Sequence, residues 1–213
     1  MEMTFNDSKS ENEEDLVIYN FFKLSERSGF VGNLLDIGAN DGIALSNSYA
    51  LIKLGWKADL VEPAPKAFAK LEKLYSGNPN IRLHNFAIGN TNGEIDFYDV
   101  GKLDTSNLKL KDNISLTSST YENWSYHEEK IKVQCMTFNN FLGKIGNKQW
   151  DFITIDTEGL DYDIFRHINM VKLNCKCLCI EYHEENKDQI LELASARRLH
   201  KYYDSGRNLI FVR

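Results

Sequence analysis

Leu34-Leu35-Asp36-Ile37-Gly38-Ala39-Asn40-Asp41-Gly42 decides the fold: a short apolar strand runs into a turn rich in Gly, Asn and Asp, and a helical pattern follows. Gly38 and Gly42 carry no Cβ, so the backbone can turn sharply there and a ligand can approach it closely. Asn40 and Asp41 tolerate turn geometry and can cap the next helix. A strand, a tight turn and a helix N-terminus together make the nucleotide site of open α/β sheets. An ordinary strand-to-helix loop has the same pattern. The rest of the chain must say which nucleotide, if any, is held.

Outward from this turn the alternation of strand and helix continues. The first strand is expected over residues 33–37 and its helix over 43–54. Residues 58–62 form a second strand, ended by Pro63-Ala64-Pro65, and 66–75 read as the helix that a proline in its first turn permits. A third strand is expected over 81–88, then a Gly-Asn turn, then an antiparallel partner or extension over 94–100. Strands at 131–136, 150–156 and 176–182 alternate with helices at 138–142, 162–167 and 186–196. Two final strands flank Asp204-Ser205-Gly206-Arg207, whose Ser-Gly pair suits a hairpin and leaves the last strand antiparallel. The expected fold is a doubly wound, Rossmann-like, seven-stranded, mostly parallel sheet with a C-terminal antiparallel strand and helices on both faces.

Residues 11–29 have helical character, with Leu16, Val17, Tyr19, Phe21, Phe22 and Leu24 on a broad apolar face and Gly29 as a stop. This helix is expected to pack on the edge of the main sheet. Residues 1–30 are therefore read as a polar tail and packing helix, and 31–213 as the cofactor domain. Between 101 and 130 the periodicity fails: Ser, Thr, Asn and Asp are interleaved with Tyr121, Trp124, Tyr126 and His127. A stretch this long is either an acceptor-recognition segment, its aromatics stacking on sugar rings, or a surface loop pinned by them.

The chain has 213 residues, enough for one α/β domain, and a net charge of −6 that argues against nucleic acid or an anionic membrane as partner. Its polar, acidic start has no apolar leader pattern, and no apolar run is long enough to span a bilayer, so neither secretion nor membrane insertion is expected and cytoplasmic residence is. Three of four cysteines alternate at Cys175, Cys177 and Cys179, which on a strand share one face about 7 Å apart. Without Cys-x-x-Cys knuckles they read as buried apolar side chains rather than metal ligands.

Polar residues at the strands' carboxyl ends form the candidate site: Asp36 to Gly42, Glu62, Asn85, Asp156, Glu158, Glu181 and His183. Glu62 stands twenty residues past Gly42, where an acid accepts both ribose hydroxyls of a nucleoside. A dinucleotide turn wants Gly-x-Gly-x-x-Gly, but Asn40 stands where its second glycine is needed. Asp36 before the turn would repel a pyrophosphate and suits a cationic amino-acid group. The charge logic thus favours S-adenosylmethionine, which carries a sulfonium and an ammonium and no phosphate.

Here the sequence resembles the FkbM-type S-adenosylmethionine-dependent methyltransferases. The resemblance runs through Leu35-Asp36-Ile37-Gly38-Ala39-Asn40-Asp41-Gly42, Val61-Glu62-Pro63-Ala64-Pro65, Asn85-Phe86-Ala87-Ile88, Ile155-Asp156-Thr157-Glu158-Gly159 and Ile180-Glu181-Tyr182-His183, in family order. Thr154 stands where the family often has Lys, and Phe138-Asn139 where it tends to have Leu-Asp. The resemblance implies a class I methyltransferase acting on a hydroxyl of a sugar, polysaccharide or related metabolite. It implies cofactor contacts at Asp36, Gly38, Asn40, Gly42, Glu62, Asn85, Ala87 and Asp156.

Methyl transfer to an alcohol calls for a base or a metal. His183 is the first candidate base, since an imidazole titrates near neutrality; a surface or capping histidine is the alternative. Asp156 and Glu158, two apart, point the same way in extended backbone. They position substrate or cofactor, close a structural network, or, third in rank, bind a divalent cation with His183; no metal is assigned. A nicotinamide-dependent oxidoreductase and a catalytically silent adenosyl-binding module are the competing functions. Nucleic-acid methylation is disfavoured by the acidic balance and by the absence of an Asn-Pro-Pro-Tyr-like block at Asp156.

Overall fold

Alternation along the strands sorts the buried side chains into two faces of one sheet. The computed structural model describes residues 3–99, 129–146 and 148–213. The expected acceptor segment, with Tyr121, Trp124, Tyr126 and His127, lies outside the described residues, apart from its last two positions. The described chain runs α1 (Glu14–Ser25), β1 (Asn33–Ile37), α2 (Tyr49–Lys53), β2 (Lys57–Val61), α3 (Pro65–Tyr75), β3 (Ile81–His84), β4 (Ala87–Gly89) and β5 (Gly93–Asp99). It resumes with β6 (Glu129–Thr137), α4 (Phe138–Ile145), β7 (Phe152–Ile155), α5 (Asp161–His167), β8 (Cys177–Glu181), α6 (Lys187–Ala196), β9 (His200–Asp204) and β10 (Asn208–Val212).

Seven strands form the main sheet in the order β3-β2-β1-β7-β8-β10-β9. The first five are parallel, and β10 is antiparallel to both β8 and β9. The order reverses between β1 and β7, so the crevice beyond their carboxyl ends is the switch point at which such sheets bind ligands. Leu35, Ile37, Ile153, Ile155, Leu178 and Ile180 bury on one face with Phe138, Phe141, Phe165 and Ile190 from α4, α5 and α6. Leu34, Leu60, Phe152, Cys177 and Cys179 bury on the other with Ile18 and Phe22 of α1, Leu51 of α2 and Leu71 of α3.

Four expectations change. Helix α1 covers a face of the sheet rather than its edge: Ile18 is fully buried, whereas Leu24 is 82% exposed. The helix expected over 43–54 is confined to α2. Asp41 Oδ1 accepts from the Ile43 and Ala44 N–H groups, Leu45 is left-handed, and Ser46 Oγ accepts from the Ser48 and Tyr49 N–H groups. Such side-chain bonds compete with helix until the last cap is passed. The strand expected over 81–88 is two. The Asn85 amide donates to the Glu62 and Pro63 carbonyls as the chain leaves β3, and β4 joins a separate three-stranded sheet, β4-β6-β5. Finally, Cys175 precedes β8 and packs on the face opposite Cys177 and Cys179. All three are free and buried, and burial pushes their thiols up, so they serve as apolar side chains.

One buried ion cluster pins the parallel sheet. Asp59 in β2 is fully buried and accepts from Arg82 Nε (2.6 Å), Lys148 Nζ (2.9 Å) and Trp150 Nε1 (2.8 Å), with His84 Nε2 at 3.0 Å. Burial raises its pKa, but these partners together outweigh it and hold the carboxyl well below the usual aspartate value of 3.8. Removing one partner of a buried pair strands the others. Asp59→Asn should therefore lower unfolding free energy by about 3 kcal/mol in urea titration at pH 7. Because the folded pKa is depressed, the Asp59 contribution is fully present above the unfolded value and is lost as pH falls through the folded one. The gap between wild type and variant should therefore shrink below about pH 4. A gap that widens there contradicts this assignment.

Candidate functional site at the switch point

The turn after β1 is fixed by hydrogen bonds to β2. The Gly38 and Ala39 N–H groups both donate to the Val61 carbonyl, at 2.9 and 3.0 Å. The Asn40 N–H donates to Glu62 Oε2 at 2.8 Å, and the Ala64 N–H to Glu62 Oε1 at 2.7 Å. Glu62 thus staples the turn to the loop after β2. A carboxylate oxygen can accept more than one hydrogen bond, so this acid both shapes the turn and faces the cleft.

Gly38 is required for a reason the sequence does not show. It is left-handed (φ +95°), and a Cβ there would stand 1.7 Å from the Asp156 carbonyl oxygen. The missing side chain makes room for the backbone just beyond the neighbouring strand β7. Gly42 is similar: a Cβ would meet Leu71 Cδ1 at 2.5 Å, and Gly42 does not line the cleft.

Beyond these strand ends opens a cleft of about 1020 Å³, continuous with solvent. Asp36, Gly38, Asn40, Glu62, Ala87, Asp156 and Glu158 line it, as do Leu45, Asn47, Phe97 and Thr154, which sequence reasoning did not place there. Asn85 is exposed and tied to the Glu62 and Pro63 carbonyls, outside the lining. Asp36 is 4% exposed, and the Ser48 hydroxyl donates to its Oδ2 at 2.5 Å. Burial, against the lowering effect of Ser48, pushes its carboxyl up to about 6.

On the far side of β1 the acids crowd together. Asp161 accepts from the Thr157 N–H and hydroxyl and from the Gly159 N–H, which fixes the loop after β7. Within that loop Glu158 is left-handed and buried. Asp156, Glu158 and Glu181 each bring a carboxylate oxygen within 4.8 Å of the others, and Asp161, Glu181 and the His183 ring form an overlapping group of the same span. Burial, then the charges of Glu158 and Asp161, raise the Asp156 pKa well above normal. Burial, then Asp156, Glu158 and Asp161, push Glu181 up to about 11, against the Arg207 guanidinium 3.7 Å from its Oε1. Arg207 also reaches Glu11 Oε2 at 3.4 Å. The three-carboxylate group offers the hard oxygen donors that suit Mg²⁺ or Ca²⁺. His183 sits beside this cluster, outside the cleft lining, with its backbone N–H donating to Asn186 Oδ1.

These features discriminate between cofactors. A pyrophosphate needs bare N–H groups at a helix N-terminus. Here the first three N–H groups of the turn are committed to β2, and α2 starts only at Tyr49. What the cleft offers instead is buried carboxylate, which fits a ligand with cationic groups and no phosphate.

Fold and site together define the class of S-adenosylmethionine-dependent methyltransferases. The sequence profile of the methyltransferase FkbM domain matches residues 36–202, and the chain belongs to that family. S-adenosylmethionine is its cofactor. The chain is similar to the 2-O-methyltransferase NoeI of Sinorhizobium fredii (strain NBRC 101917 / NGR234), 30% identical over 137 residues, which cover 62% of this chain. The match spans about half of that relative, 55% of its length. Among solved structures, Aeropyrum pernix fibrillarin in complex with natively bound S-adenosyl-L-methionine superposes with a TM-score of 0.50 at 10% identity, covering 97% of this chain and 76% of that one. The precorrin-6y C5,15-methyltransferase of Geobacter metallireducens GS-15 gives 0.49 at 9% identity, covering 100% and 93%.

An Asp36 contact with the cofactor would make affinity pH-dependent, because burial raises its carboxyl to about 6. The ammonium group of the ligand would pair with the ionised form, so S-adenosylhomocysteine affinity should fall about tenfold as pH drops from 7.5 to 5, through the raised pKa. Asp36→Asn should bind more weakly at pH 7.5 and lack that step. Calorimetry at the two pH values checks this; an unchanged step in the variant removes Asp36 from the role. Gly38→Ala should lower the melting temperature and reduce S-adenosylhomocysteine binding together, because the added methyl displaces the Asp156 backbone.

Proposed function

We propose that this protein transfers a methyl group to a hydroxyl of a sugar, polysaccharide or related metabolite, with Asp156 at the reaction centre. The observation that carries this reading is the position of Asp156, on the cleft wall at the switch point with Glu158 beside it and Glu181 behind. The bound cofactor supplies an activated methyl on a sulfonium and a thioether leaving group. The chain's own residues have to hold a hydroxyl in line and receive its proton.

A carboxylate whose pKa is raised by burial and by neighbouring charge is a stronger base for that proton than an ordinary aspartate. Asp156 is such a group, and it faces the cleft whereas His183 does not. His183, within the group formed with Glu181 and Asp161, is suited to relay the proton outward. Glu158 is placed to orient the acceptor hydroxyl. In the same reading Asp36, Asn40, Glu62 and Ala87 contact the cofactor.

The sugar-type acceptor draws support from the name of the similar relative, a 2-O-methyltransferase. Segment 101–130 is the acceptor-recognition element of this reading, because β5 and β6, which bracket it, belong to the small sheet whose Ala87, Ile88 and Phe97 line the cleft. Among the described residues no helix is long and apolar enough to cross a membrane. Cytoplasmic residence is part of the proposal, and the free cysteines suit a reducing compartment. Residues 31–213 form the methyltransferase domain in this reading, with 1–30 packed on it.

Incubation with labelled S-adenosylmethionine and a panel of glycans and hydroxylated metabolites should label a hydroxyl, located by mass spectrometry. Asp156→Asn should lower kcat on that acceptor by about 10²- to 10⁴-fold, the usual loss of a general base. Its S-adenosylhomocysteine affinity should stay within about threefold, since a structural change of the cofactor site costs more than that. Methylation confined to a nitrogen acceptor, or full activity in Asp156→Asn, overturns the proposal.

A further inference from the structure

The loop between the β1 turn and α2 docks on a polar row that crosses three strands. Asp36 of β1, Thr154 of β7 and Cys179 of β8 are register partners and so point to the same face of the sheet. Two consecutive loop residues sit on this row. Ser48 donates to Asp36, and the Asn47 amide Nδ2 donates to Thr154 Oγ1 at 3.3 Å and reaches Cys179 Sγ at 3.7 Å.

With its amide end fixed, Asn47 is 5% exposed and lines the cleft. Its side-chain carbonyl Oδ1 is buried and has no hydrogen-bond partner among the described residues. Buried polar atoms in native proteins are nearly always satisfied, and an orphan at a binding cleft calls for a ligand donor. Oδ1 can only accept.

We infer that Asn47 Oδ1 accepts a hydrogen bond from the ammonium group of S-adenosylmethionine. The cofactor has three kinds of donor: the adenine amine, the ribose hydroxyls and the ammonium. Glu62, the acceptor suited to ribose, stands at the end of β2, on the opposite side of β1 from Thr154. A donor that reaches Asn47 therefore lies on the β7 side, beside the Asp36 carboxylate, where a cation is favoured. Asn47 supplies direction, and Asp36 supplies charge. The inference rests on the cofactor orientation taken above, with the adenosine toward β2.

Calorimetry with S-adenosylhomocysteine and its des-amino analogue, which keeps the carboxylate and the adenosine, separates this role from a structural one. Asn47→Ala should weaken S-adenosylhomocysteine by about 10- to 100-fold, the loss of a hydrogen bond to a charged group. It should leave the des-amino analogue within about twofold. Thr154→Val, which frees the amide without removing the acceptor, should show a smaller loss with the same selectivity, and it tests the inference should Asn47→Ala fail to fold. Equal weakening of both ligands, or no change in either, overturns the role of Asn47 alone. Wild-type protein that binds neither ligand overturns the cofactor orientation and this inference with it.

Discussion

Three backbone N–H groups that turn toward β2 set the character of this site. Gly38 and Ala39 both reach the Val61 carbonyl and Asn40 reaches Glu62, so the turn that elsewhere greets a phosphate faces sideways. Asp41 then takes the Ile43 and Ala44 donors in its own side-chain turn, and the helix that would aim a positive dipole at the ligand is delayed to Tyr49. A Gly-Asn turn and a glycine fingerprint look alike in one dimension. Their difference is where the donors go.

The electrostatics of the crevice follow from the same place. Asp36, Glu62, Asp156, Glu158 and Glu181 all stand at or near the ends of adjacent strands because the register brings them there. Arg207 offsets part of this charge through Glu181, and it is shared with Glu11 of the amino-terminal arm. Collecting carboxylates out of water raises their pKa values and makes the cleft receptive to cations. By contrast, Asp59, one strand away and facing the other side, is surrounded by donors and held ionised. Two buried aspartates on adjacent strands thus meet opposite surroundings, one paired with donors that stabilise the sheet and one opening onto the cleft.

Much of this was legible in the chain. Strand β1 follows from the apolar run that ends at Gly38, β2 from a run stopped by proline, and the antiparallel close from the Ser-Gly hairpin, because each rests on local pattern. The split of β3 from β4 was not legible, since it depends on an Asn85 amide replacing backbone pairing 22 to 23 residues away. The missing helix before α2 depends on Asp41 and Ser46 outcompeting it, although turn-forming side chains at those positions were a usable signal. Within the site, Asp36, Glu62 and Asp156 follow from strand-end position. Asn47 and Thr154 do not: their meaning comes from register across β1, β7 and β8, which no single segment encodes. That Gly38 must also clear the Asp156 carbonyl was not legible, since it depends on how closely the β7 end approaches the turn.

The central claim is that the β1 turn holds a cationic, phosphate-free adenosyl cofactor, and competitive calorimetry tests it most directly. Titration of the full chain at pH 7.5 with S-adenosylmethionine should give one saturable site, and an excess of NAD should neither bind nor displace it. Saturable NAD binding that S-adenosylmethionine cannot displace would contradict the reading of the turn.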